Sequence, residues 1–317
     1  MTRSPLKPFY SYAPIRDLDT LAEVLAVEHD KLERLARCAD RMYRCVPQKK
    51  KDGSLRKTWD AYRELKRVHQ LIKVRLLAKV SYPLYLQGGI RDLVNPRDYA
   101  RNAGIHAGQA CIINEDIADF FPSTNASQVR DIWENFFRFA PAVASCLTSL
   151  CVRRGQLPQG AKPSSYLANL VFWRDEHELA RHLMKKGFKY SRLADDITVS
   201  SRRPLSNAQK SAIIRTVFAF IERNGYTPKY RKHALFVREE RMLVNNLVAN
   251  RRPALPREER KAIRALVHST GLEARRDGEQ AVAARLPTVY GKIGKLKRFH
   301  KREGARMNVR LKRVLNR

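Results

Sequence analysis

The sequence predicts an α+β fold in which short strands gathered around acidic residues alternate with amphipathic helices. Three observations predict it. The run Ala110–Ile113 in "GQACIINEDIADFFPST" is short and apolar, as a buried strand is, and Pro122 prevents the same strand from continuing. "KYSRLADDITVSS" holds two alternating runs with Asp195 and Asp196 at the bend between them. Apolar residues at helical spacing occupy both ends of the chain, and 317 residues with 44% hydrophobic content can form two or three subdomains.

Taken in order, Leu18, Leu21, Leu25, Leu32 and Leu35 predict an N-terminal helix pair. "PQKKKDGSLRKTWDA", Pro47 to Ala61, combines a basic flank, an Asp-Gly turn and alternation; it reads as a hairpin with a cationic tip or as a solvated loop. A helix over Tyr62–Val80 leads to a bend at Gly88 and Gly89. Asp116 falls at the end of the first central strand. Asn125 or Ser127 caps a helix running to about Phe139, and a second apolar helix covers Pro141–Val152. The Pro- and Gly-rich start of "GQLPQGAKPSSYLANL" enters one long helix through Glu178 to Lys185. Strands follow at about Lys189–Leu193 and Ile197–Ser200, then a helix over Ser206–Asn224 that Gly225 ends. "MLVNNLVAN" is a further strand candidate, and from Pro256 onward the pattern is helical, very basic between Lys292 and Lys312.

Charge narrows the function. Sixty-three Lys and Arg against thirty-one Asp and Glu give a net charge of +32, the footprint of a protein that sits on a polyanion, with nucleic acid the leading partner. A membrane is not expected as partner, because no apolar run of about 18 residues and no compact basic helix with a Trp-rich face is present. The N-terminus lacks the apolar core of a signal peptide, and Cys38, Cys45, Cys111, Cys146 and Cys151 form no C-x-x-C pair. A cytoplasmic chain with reduced thiols and no structural zinc is the expectation.

Adjacent carboxylates repel unless a cation or a base neutralises them. An isolated Asp-Asp pair at a bend is most simply a solvated turn. Joined by Asp116 from another strand end, the pair can instead hold two divalent cations about 3.5–4 Å apart, as in-line phosphoryl transfer requires. One ion would activate an attacking hydroxyl and the other would stabilise departing pyrophosphate, and hard oxygen ligands favour Mg2+. Neighbouring side chains of an extended segment point to opposite faces, so Asp195 is expected as the shared ligand and Asp196 as the supporting one.

"DIADFFPS", "LPQGAKPSSYLANL" and "LADDITVS", in that order and at those separations, resemble motifs A, B and C of a reverse transcriptase, and "NAGIH", Asn102 to His106, resembles the N-A-x-x-H element of retron reverse transcriptases. The resemblance runs from about Arg56 to the C-terminal region. It implies a right-hand polymerase with an N-terminal helical segment (1–45), fingers (46–105, with 150–170 contributing), a palm with an antiparallel sheet (106–247) and a basic helical thumb (248–317). It implies RNA-templated DNA synthesis from deoxynucleoside triphosphates, with Asp116, Asp195 and Asp196 as catalytic metal ligands and Ile117 also at the metal. Asp119 and Phe120 correspond to positions whose amides meet the incoming triphosphate, and Phe121 to the gate that excludes a ribose 2′-hydroxyl; core packing is the competing account for one of these two rings. Gln159 and Gly160 match the nucleotide and template pocket, where glycine allows close backbone approach. Ser164 is a weaker match, because Lys162-Pro163-Ser164-Ser165 departs from the usual pattern. Arg56 resembles a fingers residue that grips triphosphate oxygens, and Lys232 the lysine that protonates departing pyrophosphate. Both read otherwise as generic basic surface.

The resemblance further implies RNA contacts at Asn102, His106, Asn245 and Asn246, and thumb contacts to duplex phosphates through Lys292, Lys295, Lys297 and Arg298. For His106 the alternative is a buried, hydrogen-bonded histidine. Two departures stand out: Leu193 replaces the usual tyrosine before Ala-Asp-Asp, and Val244-Asn245-Asn246 replaces Val-Thr-Gly. The implied activity is copying of a structured noncoding RNA, both primer and template, into a branched RNA-linked DNA. An effector protein and antiphage defence complete it. The alternatives are another bacterial reverse transcriptase (group II intron-like, diversity-generating or abortive-infection) or a non-polymerising RNA-binding scaffold.

Overall fold

The computed structural model describes residues 6–49 and 53–315, so Lys50, Lys51 and Asp52 of the expected Asp-Gly turn lie outside the described residues. A four-stranded antiparallel sheet forms the centre, in the order β4 (Phe188–Leu193), β5 (Asp196–Ser201), β3 (Cys111–Asp116), β6 (Ala234–Val237). Burial covers nearly every position of β3 and β5; β3 begins as the expected apolar run, whereas β5 buries Thr198, Ser200 and Ser201 along with Ile197 and Val199. The register places Cys111 opposite Ser201 and Asp116 opposite Asp196. One strand end thereby carries two facing carboxylates.

Before the sheet, α1 (Leu18–Leu25) and α2 (His29–Cys38) bury Leu21, Leu25, Leu32 and Leu35 at the expected helical spacing. The basic segment is a hairpin, β1 (Tyr43–Lys49) paired with β2 (Leu55–Ala61), and α3 (Arg63–Arg75) follows. The hairpin starts four residues earlier than expected. Its outer residues are exposed, so pairing and not burial defines it. Helix α4 (Tyr99–His106), capped by the Asp98 carboxylate, then delivers the chain to β3.

Beyond β3 come α5 (Phe120–Ser123) and α6 (Ala126–Asp131). Asn125 caps α6 through a reciprocal bond pair with Gln128, but the helix does not reach Phe139 as one regular rod. A π turn over Ile132–Phe136 rotates Trp133 and Phe137 into an aromatic cluster with Phe139 and Tyr10. Helix α7 (Pro141–Cys151) is as expected. The single long helix expected next is two, α8 (Ser164–Leu170) and α9 (Glu176–Lys185). The break returns Glu176 to the sheet, where it meets the buried Arg192. Helix α10 (Asn207–Arg223) carries a Ser206 capping box and stops before Gly225.

"MLVNNLVAN" is a hairpin and not one strand: β7 (Leu243–Val244) and β8 (Leu247–Val248) flank Asn245 and Asn246, both left-handed at φ 48° and 63°. That is the backbone of the tightest hairpin turns, which asparagine tolerates. A last, basic helical unit comprises α11 (Arg257–Asp277), α12 (Glu279–Val282), α13 (Leu286–Phe299) and α14 (Lys301–Leu315). Helices α13 and α14 meet so closely at Gly304 that any side chain there would collide with the Lys297 backbone. Glu303 binds Arg260 (2.6 Å) and Arg264 across this unit. No helix among the described residues is long and apolar enough to cross a membrane.

Candidate active site

The site starts from strand pairing. Directly opposed residues of antiparallel strands hold their Cβ atoms about 4.5–5.5 Å apart, so Asp116 and Asp196 are forced neighbours. Asp195 occupies the two-residue turn joining β4 to β5, and its carbonyl accepts the Ile117 amide at 3.1 Å. Ala194, the other turn residue, is left-handed (φ 56°). Gly88 packs against this turn; a Cβ on it would sit 2.7 Å from the Ala194 nitrogen. The Gly88 bend read from the sequence therefore has a purpose, which is to let the backbone approach the turn.

Arg192 anchors the turn from below. Its guanidinium is fully buried, bonds Glu176 at 2.6 and 2.8 Å, and donates to the carbonyls of Ala168, Asn169 and Ala194. Sequence reasoning passed over this pair. Its one signal was an arginine in the strand just ahead of the Asp pair, beside the buried Tyr190 and Ser191.

Electrostatically the trio is under stress. Burial, then the Asp116 charge, raises the Asp195 carboxyl above its usual range. Burial, then the charges of Asp195 and Asp116 and a carboxyl hydrogen bond with Asp116, pushes Asp196 up to about 7. Two cations reduce the strain. Lys232 places its ammonium 2.6 Å from one Asp116 oxygen. Burial lowers its pKa, but the hydrogen bond and charge of Asp116 outweigh this and raise it. Arg56, exposed on β2, is close enough for its charge to lower the Asp195 pKa. The other Asp116 oxygen, Oδ1, is buried without a hydrogen-bond partner. Among the described residues no three His, Cys, Asp or Glu side chains form a ready-made metal cage.

The remaining expected residues divide by exposure. Phe120 is buried among Phe172 and Tyr226, whereas Phe121 is half-buried beside it. Asp119 is exposed and left-handed (φ 43°), and Ile117 is buried. The Gln159 carbonyl accepts the Trp59 amide at 2.7 Å, and Gly160 lies so close that a Cβ would be 3.0 Å from the Trp59 oxygen. The 159–160 loop is thus pinned to the β1–β2 hairpin. Ser164 is buried.

Asn102 and His106, expected at RNA, have no exposed surface. The polar atoms of their side chains bond Ser191, Ser200 and Asn245, because α4 packs its polar face onto β4 and β5. His106 is the buried, hydrogen-bonded histidine of the alternative reading. Asn245 is half-buried and also bonds Asp196, while Asn246 is exposed. Of the basic residues on α13, Lys292 and Lys297 are exposed, Lys295 pairs with Glu259 at 2.6 Å, and Arg298 pairs with Asp98.

No family model matches the chain. It is 32% identical over 267 residues to the retron Se72 reverse transcriptase of Salmonella heidelberg, a match covering 83% of this chain and 69% of that protein. The chain belongs to the retron reverse transcriptases. Two further members agree: the retron Ec48 reverse transcriptase of Escherichia coli, 30% identical over 94% of this chain and 76% of its own, and the retron Ec86 enzyme of Escherichia coli, 27% identical over 80% and 78%. This retron reverse transcriptase is accordingly an RNA-directed DNA polymerase.

Proposed function

We propose that Asp116, Asp195 and Asp196 hold a pair of magnesium ions at which a nucleotide is added to a growing DNA. The observation that carries this reading is the register that sets Asp116 opposite Asp196 with Asp195 in the adjoining turn. The residues fit the ions. Asp116 Oδ1 is buried without a partner, the donors are hard carboxylate oxygens, and the raised Asp195 and Asp196 pKa values mark negative charge in search of a cation. Bound magnesium would lower the pKa of the attacking hydroxyl and neutralise the departing pyrophosphate.

The protein's own groups supply the rest. Ile117 would border the ions, and Arg56, whose charge reaches Asp195 from the hairpin, would grip triphosphate oxygens. Asp119 and Phe120 present backbone amides to the same triphosphate. Lys232, whose ammonium sits 2.6 Å from Asp116, is the cation at the site that can deliver a proton to pyrophosphate. Gln159 and Gly160 line the pocket for the base pair. Phe121, the more exposed ring of its pair, is the sugar gate. Replacing it by alanine is expected to raise ribonucleotide incorporation relative to deoxynucleotide by about tenfold or more; unchanged discrimination in competing single-nucleotide additions would remove Phe121 from this role.

The architecture follows: fingers from 46–105 with 150–170, a palm over 106–247 and a thumb over 248–317. The pinning of the 159–160 loop to β2 supports the joint fingers assignment. Exposed Lys292 and Lys297 make phosphate contacts that weaken as salt rises. Family membership supports the larger setting, in which a cytoplasmic enzyme copies its cognate noncoding RNA from an internal 2′-hydroxyl into a branched RNA–DNA, beside an effector protein in antiphage defence. Sequencing the nucleic acid that copurifies with the chain tests it. One short DNA joined to RNA supports the setting, and random cellular RNA contradicts it.

Metal binding should also couple to pH. An unfolded Asp titrates near about 3.9. Folded Asp196, raised to about 7, keeps its proton across the interval between, so the metal-free folded state binds more protons than the unfolded state there. Its stability therefore falls as pH climbs through that window. Magnesium, favoured by the ionised form, is expected to raise the melting temperature at about pH 8 and hardly at about pH 5. Equal shifts at both pH values would argue against carboxylate binding.

A further inference from the structure

One chain of hydrogen bonds runs from the sheet interior to the carboxylate cluster and belongs to none of the roles above. The Ser200 hydroxyl meets His106 Nδ1 at 2.7 Å, and His106 Nε2 meets the Ser191 hydroxyl at 2.7 Å. Ser191 donates to Asn102 Oδ1 at 2.5 Å, Asn102 Nδ2 donates to Asn245 Oδ1 at 2.6 Å, and Asn245 Nδ2 donates to Asp196 Oδ2 at 3.1 Å. Four elements contribute, namely α4, β4, β5 and the β7–β8 turn.

The Asp196 end sets the direction of the bonds as far as His106 Nε2. In its ionised, metal-binding form the Asp196 carboxylate only accepts, so Asn245 turns its NH2 toward Asp196 and its oxygen toward Asn102. Asn102 must then donate to Asn245 and accept from Ser191. With its single proton so used, Ser191 accepts from His106 Nε2–H. Burial, with the nearby Lys189 charge, pushes His106 down to about 3, so the imidazole is neutral and its Nδ1 accepts from the Ser200 hydroxyl. Hydrogen bonds aligned in one sense polarise one another, and this series ends on an anion.

The hairpin that carries Asn245 is held in place independently. Asn114 Nδ2 donates to the Leu243 carbonyl at 2.7 Å while Asn114 Oδ1 accepts from Thr198 at 3.0 Å. Val244 and Leu247 are buried with Ala103 of α4, Ile112 of β3 and Leu296 of α13. Asn245 thus reaches Asp196 from a seated support.

We propose that Asn245 is a positioning residue for Asp196, and that Asn102 and His106 act through it, so that the N-A-x-x-H element and the β7–β8 turn serve nucleotidyl transfer by fixing one carboxylate. This rests on the reading of Asp196 as a metal ligand. Outer partners that orient a ligating carboxylate commonly contribute 10- to 100-fold in metal affinity or activity, roughly speaking. Asn245 is well suited to a clean test, because glycine accepts its left-handed backbone without strain.

The experiment titrates Mn2+ into the purified chain without primer or nucleotide, following free ion by electron paramagnetic resonance, beside cognate-RNA affinity and primed extension. Asn245→Gly is expected to weaken Mn2+ binding about tenfold and slow extension, with RNA affinity unchanged within about twofold. Asn245→Asp keeps the turn but aims a second negative charge at Asp196, and is expected to be worse than glycine. A purely structural turn would rank aspartate as the better tolerated of the two. Asn102→Ala combined with Asn245→Gly should add nothing to Asn245→Gly alone, since both cut one chain. Loss of RNA affinity with unchanged Mn2+ binding overturns the proposal. Asp196→Asn separates the two levels. If that variant binds Mn2+ and extends normally, the ligand reading fails and takes this proposal with it. If it fails in both while Asn245→Gly matches the parent, only the positioning role is lost.

Discussion

Asp195→Asn and Asp116→Asn are each expected to cut primed DNA synthesis by at least about 10³-fold while leaving RNA retention within about twofold of the parent. The separation follows from where the charges lie. Affinity for a polyanion comes from the excess of 63 Lys and Arg over 31 Asp and Glu, and the carboxylates stand against it. Removing one negative charge cannot weaken phosphate binding by Coulomb's law, and it relieves the repulsion that raises Asp195 and Asp196. Both variants should therefore fold at least as well as the parent without magnesium. Single-turnover extension and a filter-binding titration check the pair of outcomes. Extension at parental rates would remove the carboxylates from the chemistry, and parallel loss of RNA binding would mean that the substitutions disturb the fold.

The largest effect on stability is expected at Glu176. The Arg192–Glu176 pair is fully buried, and Arg192 also holds the Ala194 carbonyl of the turn bearing Asp195. Removing one partner strands an unpaired charge in the interior, which costs about 3–5 kcal/mol. Glu176→Ala should shift the urea midpoint strongly and loosen the α8–α9 connection with the turn. The double replacement Glu176→Leu with Arg192→Met leaves no buried charge and should recover much of the loss. A Glu176→Ala variant as stable as the parent would show the pair to be solvated. If the double variant recovers stability but not synthesis, the pair's function is to shape the turn.

How much of this was legible in the sequence depends on the range of the determining contacts. Asp116, Asp195 and Asp196 could be found because each lies at a strand end or turn, and local patterning marks such places. The helix pair at Leu18–Leu35 and the stop at Gly225 were equally local. The break between α8 and α9 was not, since the residues that require it, Glu176 and Arg192, meet only after the chain has turned back into the sheet. Strand β6 was missed for a similar reason: its four residues are only half-buried and gain their identity from pairing with β3. The Asn245-Asn246 turn was readable in principle, because paired asparagines between apolar dipeptides suit a left-handed turn. The bonds of His106 were hidden, as Ser191 and Ser200 lie 85 and 94 residues away. A buried polar chain leaves no periodicity in the sequence, only polar residues where apolar ones are expected.

The central claim is that three carboxylates brought together by the β3–β5 register hold the catalytic metal. The most direct measurement is anomalous diffraction at the manganese edge from crystals of the enzyme with a primed RNA template, an incoming deoxynucleotide and Mn2+. The account predicts two strong peaks bounded by Asp116, Asp195 and Asp196. Manganese peaks confined to phosphates away from these side chains would contradict it.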